Sequence, residues 1–498
     1  MTDTRVLLAV DAGTSSIKTV AFALDGTEVA AATRETTTLR PAPGHVEQEM
    51  VSAWQQTAAA LREVAAALPE RAEPLGVSVT GQGDGLWAVT EAGDPVRNAV
   101  LWSDSRAAGI VDVWADDGRL ERIVDQCGSK PYPGMSLPLL AWLAREEPEQ
   151  YERIDTVLSC KDWLKYRLTS ERTLDHTEAT IPYLDKTTER YDPSVFEVVG
   201  LPDAKSVLPR LAAPTEVIGT TGLDPGLPVV SGAFDVPASG IGTGAATTGG
   251  LSITLGTSLT HQVFVDGPQS ATSGIQMSLG HEGQWTYAIS SNAGTPSLEW
   301  AADVLVGDDV AALEPVARAA PVGSDGVVYH PYLSAAGERG PFVDPDARGQ
   351  FVGLTPEHGI ENLVRAVYEG LSLAVRDCVT HLPADPTTAA VTGGGTRSEL
   401  WCQLVADCLG CPVAVPESTE ATAMGAAALL AVSQGVFPSL PAAVERMVTI
   451  DHRYEPRASV ADQYAALYDL FAEMSRGMEP VWSARAAADD RLDADSVE

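Results

Sequence analysis

The alternation of apolar and polar positions divides the first eighty residues into short elements. RVLLAVD (5–11) is an apolar run of strand length that ends in an acid. GTSS then turns the chain into IKTVAFAL, a second strand closed by the hairpin dipeptide Asp25-Gly26. TEVAAATRET predicts a third strand. EQEMVSAWQQTAAALREVAAAL (47–68) repeats its apolar residues at helical spacing on an alanine-rich background and predicts a helix. LGVSVTGQGDG reads as a buried strand that empties into a glycine-rich loop. The succession is an antiparallel trio, a helix and a further strand.

The same succession returns in the second half. LSITLGTSLTHQVFV (251–265) is again a strand, a GTS turn and a strand, and its Gly256-Thr257-Ser258 lies 243 residues after Gly13-Thr14-Ser15, about half the chain. ENLVRAVYEGLSLAVRDCVTHL (361–382) predicts a long helix, and AAVTGGGTRSELWCQLVAD (389–407) a strand, a glycine turn and a helix. The order of elements predicts a duplicated α/β chain of two related lobes with a cleft between them. The lobes are expected at 1–240 and 241–485, followed by an acidic tail over 486–498 that predicts fraying. Segments 266–285 and 334–348, rich in Gly, Ser, Pro and Asp, read as surface loops.

Composition narrows the classes. At 498 residues, 45 % hydrophobic and 20 % charged, the chain can bury large cores, which excludes global disorder. No apolar run approaches the ~20 residues of a membrane-spanning helix. The N-terminal run lacks a basic segment and a small-residue cleavage site, so the cytoplasm is the expected compartment. A formal charge of −35 repels nucleic acid and anionic membranes, so neither is an expected partner. It also means that a polyanionic ligand must be held by local donors. Cys127, Cys160, Cys378, Cys402, Cys408 and Cys411 are too sparse for a disulfide scaffold and read as buried thiols rather than zinc ligands.

Candidate chemistry collects at strand ends. In VDAGTSSIK (10–18), Asp11 ends a strand, and the turn offers backbone N–H groups, the hydroxyls of Thr14, Ser15 and Ser16, and the charge of Lys18. This suits an anion with a hydrated Mg²⁺ at Asp11, or equally an ordinary hairpin with a polar tip. No GxxxxGK[ST] motif occurs, so any ATP site uses another architecture. The glycines at 393–395 permit close approach to a flat or anionic ligand, or simply a tight entry into a helix. In LPVVSGAFDVPASG (227–240) an apolar strand delivers Asp235 among small residues, as a general base or as a helix N-cap. Gln82 and Asp84 in TGQGDGLW suit substrate hydroxyls. Trp102, Asp104 and Arg106 suit a polyol, or a core tryptophan beside a surface ion pair. LSCKDWLKYRLTSERTLDHTEAT (158–180) reads mostly as an amphipathic helix and a turn, with Asp175 and Glu178 the residues placed for a ligand.

With these residues in place, the chain resembles the FGGY carbohydrate kinases over roughly residues 5–480. GQFVGLTPEHGIENLVRAVYE (349–369) matches the family's C-terminal signature, and DAGTSSIK, GAFD, LGTS and TGGGTRSELW stand in family order. GMSLPLLAWLAREE (134–147) departs from the N-terminal signature, with Leu139 at its usual Lys position. The resemblance implies two actin-like, ribonuclease H-like lobes and ATP- and Mg²⁺-dependent phosphorylation of a small-molecule sugar or polyol. It implies Asp235 as catalytic base and substrate contact, and Asp11 as the carboxylate supporting Mg²⁺. It implies Thr14, Ser15, Ser16 and Lys18 as one phosphate turn and Gly256 and Thr257 as the other. Gly394 and Ser398 match adenosine contacts, with Ser398 where glycerol kinases have Asn. Gln82, Gly83 and Asp84 match the loop that reads substrate hydroxyls. GQGDG, CKDWL and the Asp175-x-x-Glu178 run look more like erythritol and L-xylulose/3-keto-L-gulonate kinases than like D-xylulose or glycerol kinases. The alternatives are a D-xylulose kinase, an actin-like ATPase and a non-catalytic sugar-binding regulator. A homodimer is an assembly compatible with the resemblance.

Overall fold

A computed structural model describes residues 4–222, 226–269, 274–281 and 283–495. The chain divides into two compact units. The first comprises Met1–Thr248, Phe264–Tyr287 and Glu420–Thr449, and the second Gly249–Val263, Ala288–Thr419 and Ile450–Glu498.

The first unit is built on a six-stranded sheet in the order Val217–Thr220, Pro228–Val230, Glu73–Gly81, Arg5–Ala12, Ser16–Ala23, Glu28–Glu35. Successive side chains of Arg5–Ala12 point to opposite faces, and both faces are covered, which is why this strand is a nearly unbroken apolar run. Leu8 and Val10 join one core cluster with Met50, Ala60, Leu61 and Val64 of the helix Met50–Ala67. Leu7 and Ala9 join the opposite cluster with Ala423, Ala427 and Leu430 of the helix Ala421–Ser433. That helix crosses Asp235–Gly242 at glycine-sized separation: a Cβ at Gly242 would lie 1.8 Å from Ala421 O, and one at Gly425 would lie 1.8 Å from Ala238 O. The lobes expected from the sequence are contiguous, whereas the compact units are not. Glu420–Thr449 counts with the first unit because its apolar face completes that unit's second core.

The second sheet has seven strands in the order Ile275–Ser278, Gln284–Ser291, Leu259–Asp266, Leu251–Leu255, Ala389–Thr392, Val413–Pro416, Ile450–Tyr454. Its pairing repeats that of the first. Arg5–Ala12 pairs antiparallel with the strand after its GTS turn and parallel with Glu73–Gly81, followed by a parallel and then an antiparallel neighbour. Leu251–Leu255 shows the same four relations in the same order. The helix Ile360–Thr380 lies in the second unit, and Gly370 lets it approach the strand Val328–His330, which pairs with Gln350–Val352 in a two-stranded sheet of its own; a Cβ at Gly370 would lie 2.2 Å from Tyr329 O.

Three local expectations change. Ile275–Ser278 is a strand with Gln276, Met277 and Ser278 buried, inside a segment expected to be loop; four residues are too few for a period to show. Residues 270–273 and 282 of that segment lie outside the described residues. Within 334–348, Glu338 and Asp344 are buried and exchange backbone hydrogen bonds of 2.8 and 3.0 Å. The last helix, Ala461–Asp495, runs through most of the segment expected to fray.

Candidate active site

In the first unit, strand ends bring the predicted residues together. Asp11 sits opposite Lys18 across the first hairpin and opposite Thr80 on the parallel strand. In the turn, the Thr14 hydroxyl donates to Gln82 Oε1 at 2.9 Å and accepts from Trp102 Nε1 at 3.1 Å. Gln82 Nε2 in turn donates to Gln48 Oε1 at 3.0 Å. Ser15 is exposed and Ser16 half-buried. Lys18 Nζ pairs with Glu420 Oε1 at 2.7 Å, a partner 402 residues away that no local pattern announces.

The loop after Glu73–Gly81 carries Gln82, Gly83 and Asp84. A Cβ at Gly83 would lie 2.6 Å from the Phe234 ring, so this glycine lets the loop pack on the residue before Asp235. Asp84 holds a left-handed conformation (φ 59°), and Gly85 follows with φ 75°. Tyr132 OH donates to Asp84 Oδ2 at 2.7 Å, and the Asp84 N–H donates to Glu178 Oε2 at 3.1 Å.

Asp235 is the first residue of its helix and does not cap it; Phe234 stands at the cap position. The segment between Val230 and Asp235 is fastened at both ends. Lys165 Nζ donates to Ser231 Oγ at 2.9 Å, and Thr177 Oγ1 accepts from the Phe234 N–H at 3.1 Å. A buried ion network joins these two fastenings. Thr177 Oγ1 donates to Asp175 Oδ2 at 2.6 Å, Asp175 Oδ1 lies 2.5 Å from Lys161 Nζ, and Asp162 Oδ1 lies 3.2 Å from Lys161 Nζ and 2.5 Å from Lys165 Nζ. Lys161, Asp162 and Lys165 are fully buried, so Cys160–Thr169 is not the amphipathic helix its charges suggest; its ions pair internally. Two positive and two negative charges balance, as buried ions must.

The carboxylates feel one another. Burial first, then Asp11 and Asp84, pushes the Asp235 carboxyl up to about 8. Burial and Glu420 raise Asp11 to about 6 against the pull of Lys18. Burial raises Asp84 to about 6 against its bond from Tyr132. A carboxyl held this way loses its proton less readily, and its ionised form is a correspondingly stronger base.

Asp104 and Arg106 form neither a sugar site nor a surface pair. Asp104 Oδ2 accepts from the Val46 N–H at 2.5 Å, and buried Arg106 bridges Asp104 and Glu47 at 2.8 Å each while lying 5.0 Å over the Trp142 ring. Of the three residues only Trp102 reaches the Thr14 turn.

In the second unit, the Gly256 carbonyl accepts from Thr295 N–H at 2.8 Å. Gly294 packs under this turn, where a Cβ would lie 2.4 Å from Gly256 O. Gly393, at φ 92°, would place a Cβ 2.5 Å from Leu255 O, so the two glycine turns are neighbours at adjacent strand ends. Gly394 opens a 3₁₀ turn. The Ser398 hydroxyl caps Glu399–Leu409 by accepting from Trp401 N–H at 3.2 Å and donates to Glu314 Oε2 at 2.8 Å.

Comparison with known proteins gives the family. Residues 6–242 match the N-terminal domain, and residues 251–434 the C-terminal domain, of the FGGY family of carbohydrate kinases. The erythritol kinase of Brucella abortus is 31 % identical over 97 % of this chain and 98 % of its own. The chain belongs to the FGGY family of carbohydrate kinases. It is thereby an ATP-dependent carbohydrate kinase with the duplicated actin-like fold. A gluconokinase of Bacillus licheniformis is 27 % identical over 96 % of both chains. The solved xylulose kinase of Rhodospirillum rubrum superposes with a TM-score of 0.89 at 27 % identity, covering 96 % of this FGGY kinase and all of that chain. Among the described residues no helix is long and apolar enough to cross a membrane.

Proposed function

We propose that this FGGY kinase transfers the γ-phosphoryl group of ATP to a terminal hydroxyl of a small polyol or ketose, with erythritol the first acceptor to test and Asp235 the general base. The observation that carries the reading is the Asp235 carboxyl, raised to about 8 at the head of its helix and within the field of Asp11 and Asp84. A base poised near neutral pH takes the proton of an alcohol as that alcohol attacks. The likeness to an erythritol kinase over nearly the whole chain supports the acceptor class.

In this reading the hydroxyl oxygen forms a bond to the γ-phosphorus, the bond from that phosphorus to the ADP oxygen breaks, and the proton passes to Asp235. Asp84, fixed by Tyr132, orients the other hydroxyls, and Gln82 ties that loop to the Thr14 turn. The backbone of 14–16, the hydroxyls of Ser15 and Ser16 and the Lys18 ammonium are the phosphate donors of the first unit in this reading, and the Thr14 hydroxyl, engaged with Gln82, holds the turn. Gly256, Thr257 and Gly394 are the nucleotide contacts of the second unit. Ser398 contributes there through the helix it caps, since its hydroxyl is engaged by Glu314. The acid at the strand tip, Asp11, is a hard oxygen donor of the kind that Mg²⁺ takes together with phosphate, and the ion would neutralise charge on the triphosphate.

The test is a coupled ADP-release assay over tetritols, pentitols, pentuloses, hexulosonates, D-xylulose and glycerol. One acceptor should stand well above the rest in kcat/KM. Asp235→Asn should keep nucleotide binding and lose about 10²–10⁴ in kcat, the usual worth of a positioned base. Near-normal turnover by that variant removes Asp235 from the role, and release stimulated by no acceptor removes the kinase reading.

A further inference from the structure

Beside Asp84 lies a narrow recess whose polar lining is Asp84, Ser136, Ser159, Glu178 and Tyr183, with Val157, Leu158, Leu174 and Ile181 as its apolar wall. Its interior is about 10 Å³, close to the room of one water molecule or one hydroxyl group. Most of its polar atoms are engaged. Ser159 Oγ donates to Asp162 at 2.5 Å, Tyr183 OH donates to Ser136 Oγ at 2.7 Å, and Glu178 Oε2 accepts from the Asp84 N–H. The exception is Glu178 Oε1. It is buried, on a residue only 8 % exposed, and has no hydrogen-bond partner. A buried carboxyl oxygen left unpaired is costly unless something else completes it.

Resting on the kinase reading above, we propose that this recess is a specificity site for a single neutral hydroxyl. Glu178 binds the end of the acceptor remote from the phosphorylated carbon, so the enzyme takes polyols and ketoses that end there in CH₂OH and refuses acids that end there in carboxylate. Three observations converge. The room fits a hydroxyl and not the larger carboxylate. The lining holds two acids and, among the described residues, no cation; nearby Lys161 and Lys165 are committed to Asp162 and Asp175. Burial pushes the Glu178 carboxyl well above its ordinary range, and Asp84 adds to the shift against the pull of Lys161. The surroundings that make Glu178 keep its proton would equally penalise a carboxylate brought in by an acceptor. A site built to bond one hydroxyl discriminates strongly against an analogue that lacks it. The inference separates this chain from the gluconate-type acceptor named for one of its relatives and from hexulosonates.

The matched pair for the test is erythritol and D-erythronate, which differ at one terminal carbon. Steady-state ADP release and calorimetric binding without nucleotide are measured on the full-length protein and on Glu178→Gln. The amide oxygen of Gln can still accept from the Asp84 N–H, so the loop stays held. The wild type should prefer erythritol, or a ketose that replaces it as best acceptor, by at least about 100-fold over the acid. Glu178→Gln should raise the acceptor KM about tenfold with a smaller change in kcat, and should narrow the gap between the pair. Wild-type use of erythronate within tenfold of erythritol overturns the proposal. So does an equal fall for both acceptors at unchanged KM, which would reduce Glu178 to a support for the loop. Binding of the neutral acceptor without turnover of any acceptor would keep the recess and remove the kinase reading. Failure of every neutral polyol and ketose to bind would remove the recess.

Discussion

If Asp235 is the general base proposed above, its protonation should leave a mark on both rate and stability. With its carboxyl raised to about 8, kcat/KM for the acceptor should climb about tenfold per pH unit below that value and level off above it, as for a free-enzyme base. A flat profile between pH 6 and 8 would contradict the assignment. The stability sign runs the other way. A carboxyl that binds its proton more tightly in the folded state than in the unfolded one favours folding below pH 4, and this contribution is lost as pH rises toward 8. Asp235→Asn should therefore match the wild-type Tm only near pH 4 and exceed it by a growing margin up to pH 8.5, measured without ligands. A variant Tm below wild type at pH 8.5 would show that the carboxylate is a net stabiliser. At this scale the sequence was informative where chemistry is local: Asp11 stands at the end of a strand, Asp84 and Asp235 shortly after one, each among small residues. It was silent on what holds them. Tyr132 lies 48 positions from Asp84, Glu178 lies 94 from it, and Glu420 lies 402 from Lys18. Contacts at such separations leave no periodic trace.

Between residue and domain, the decisive element is the turn at 231–234, which has little side-chain bulk with which to hold itself. Lys165 grips one end and Thr177 the other, through one buried network. The charged helix that supplies Lys161, Asp162 and Lys165 looks amphipathic in sequence, because four charges in CKDWLKYR resemble a solvated face. Only the return of Asp175 balances the buried lysines with Asp162, while Arg167 alone of the four stays exposed. Thr177→Val keeps the shape but removes the acceptor for Phe234 N–H and the donor to Asp175. Leaving such groups unpaired costs about 1–3 kcal/mol each. If the network positions Asp235, kcat should fall about tenfold or more with the acceptor KM little changed, and Thr177→Ser should restore it. Loss of Tm with normal kcat in the surviving protein would make Thr177 structural alone. The long strands and helices were readable because their apolar periods extend over many residues. Ile275–Ser278 was not, being four residues long and buried through its partners rather than its pattern.

Across the whole molecule, the repeated GTS turn at an offset of 243 residues foretold a duplication that the strand pairing bears out. The segment that leaves the second half to complete the core of the first could not be read in the same way. The helix Ala421–Ser433 is small and apolar all round, which marks it as buried without saying in which core. Charge is the remaining property of the whole chain. A net −35 makes the compact state repel itself, since folding brings the acids closer together than in the open chain. Buried pairs such as Arg106 with Asp104 and Lys161 with Asp175 are shielded from salt, whereas exposed acids are not. Salt should therefore relieve repulsion without dissolving the core's ion pairs, and Tm should rise with KCl. Most of that rise should fall between about 0.01 and 0.1 M, where the screening length shrinks from about 30 to 10 Å. A thermal melt series in that range, at a pH above 7 where the surface acids are ionised, checks this. If Tm is unchanged or falls, surface pairs such as Arg172 with Asp155 and Arg210 with Glu216 contribute more than the excess acids cost, and the charge bears on solubility rather than stability.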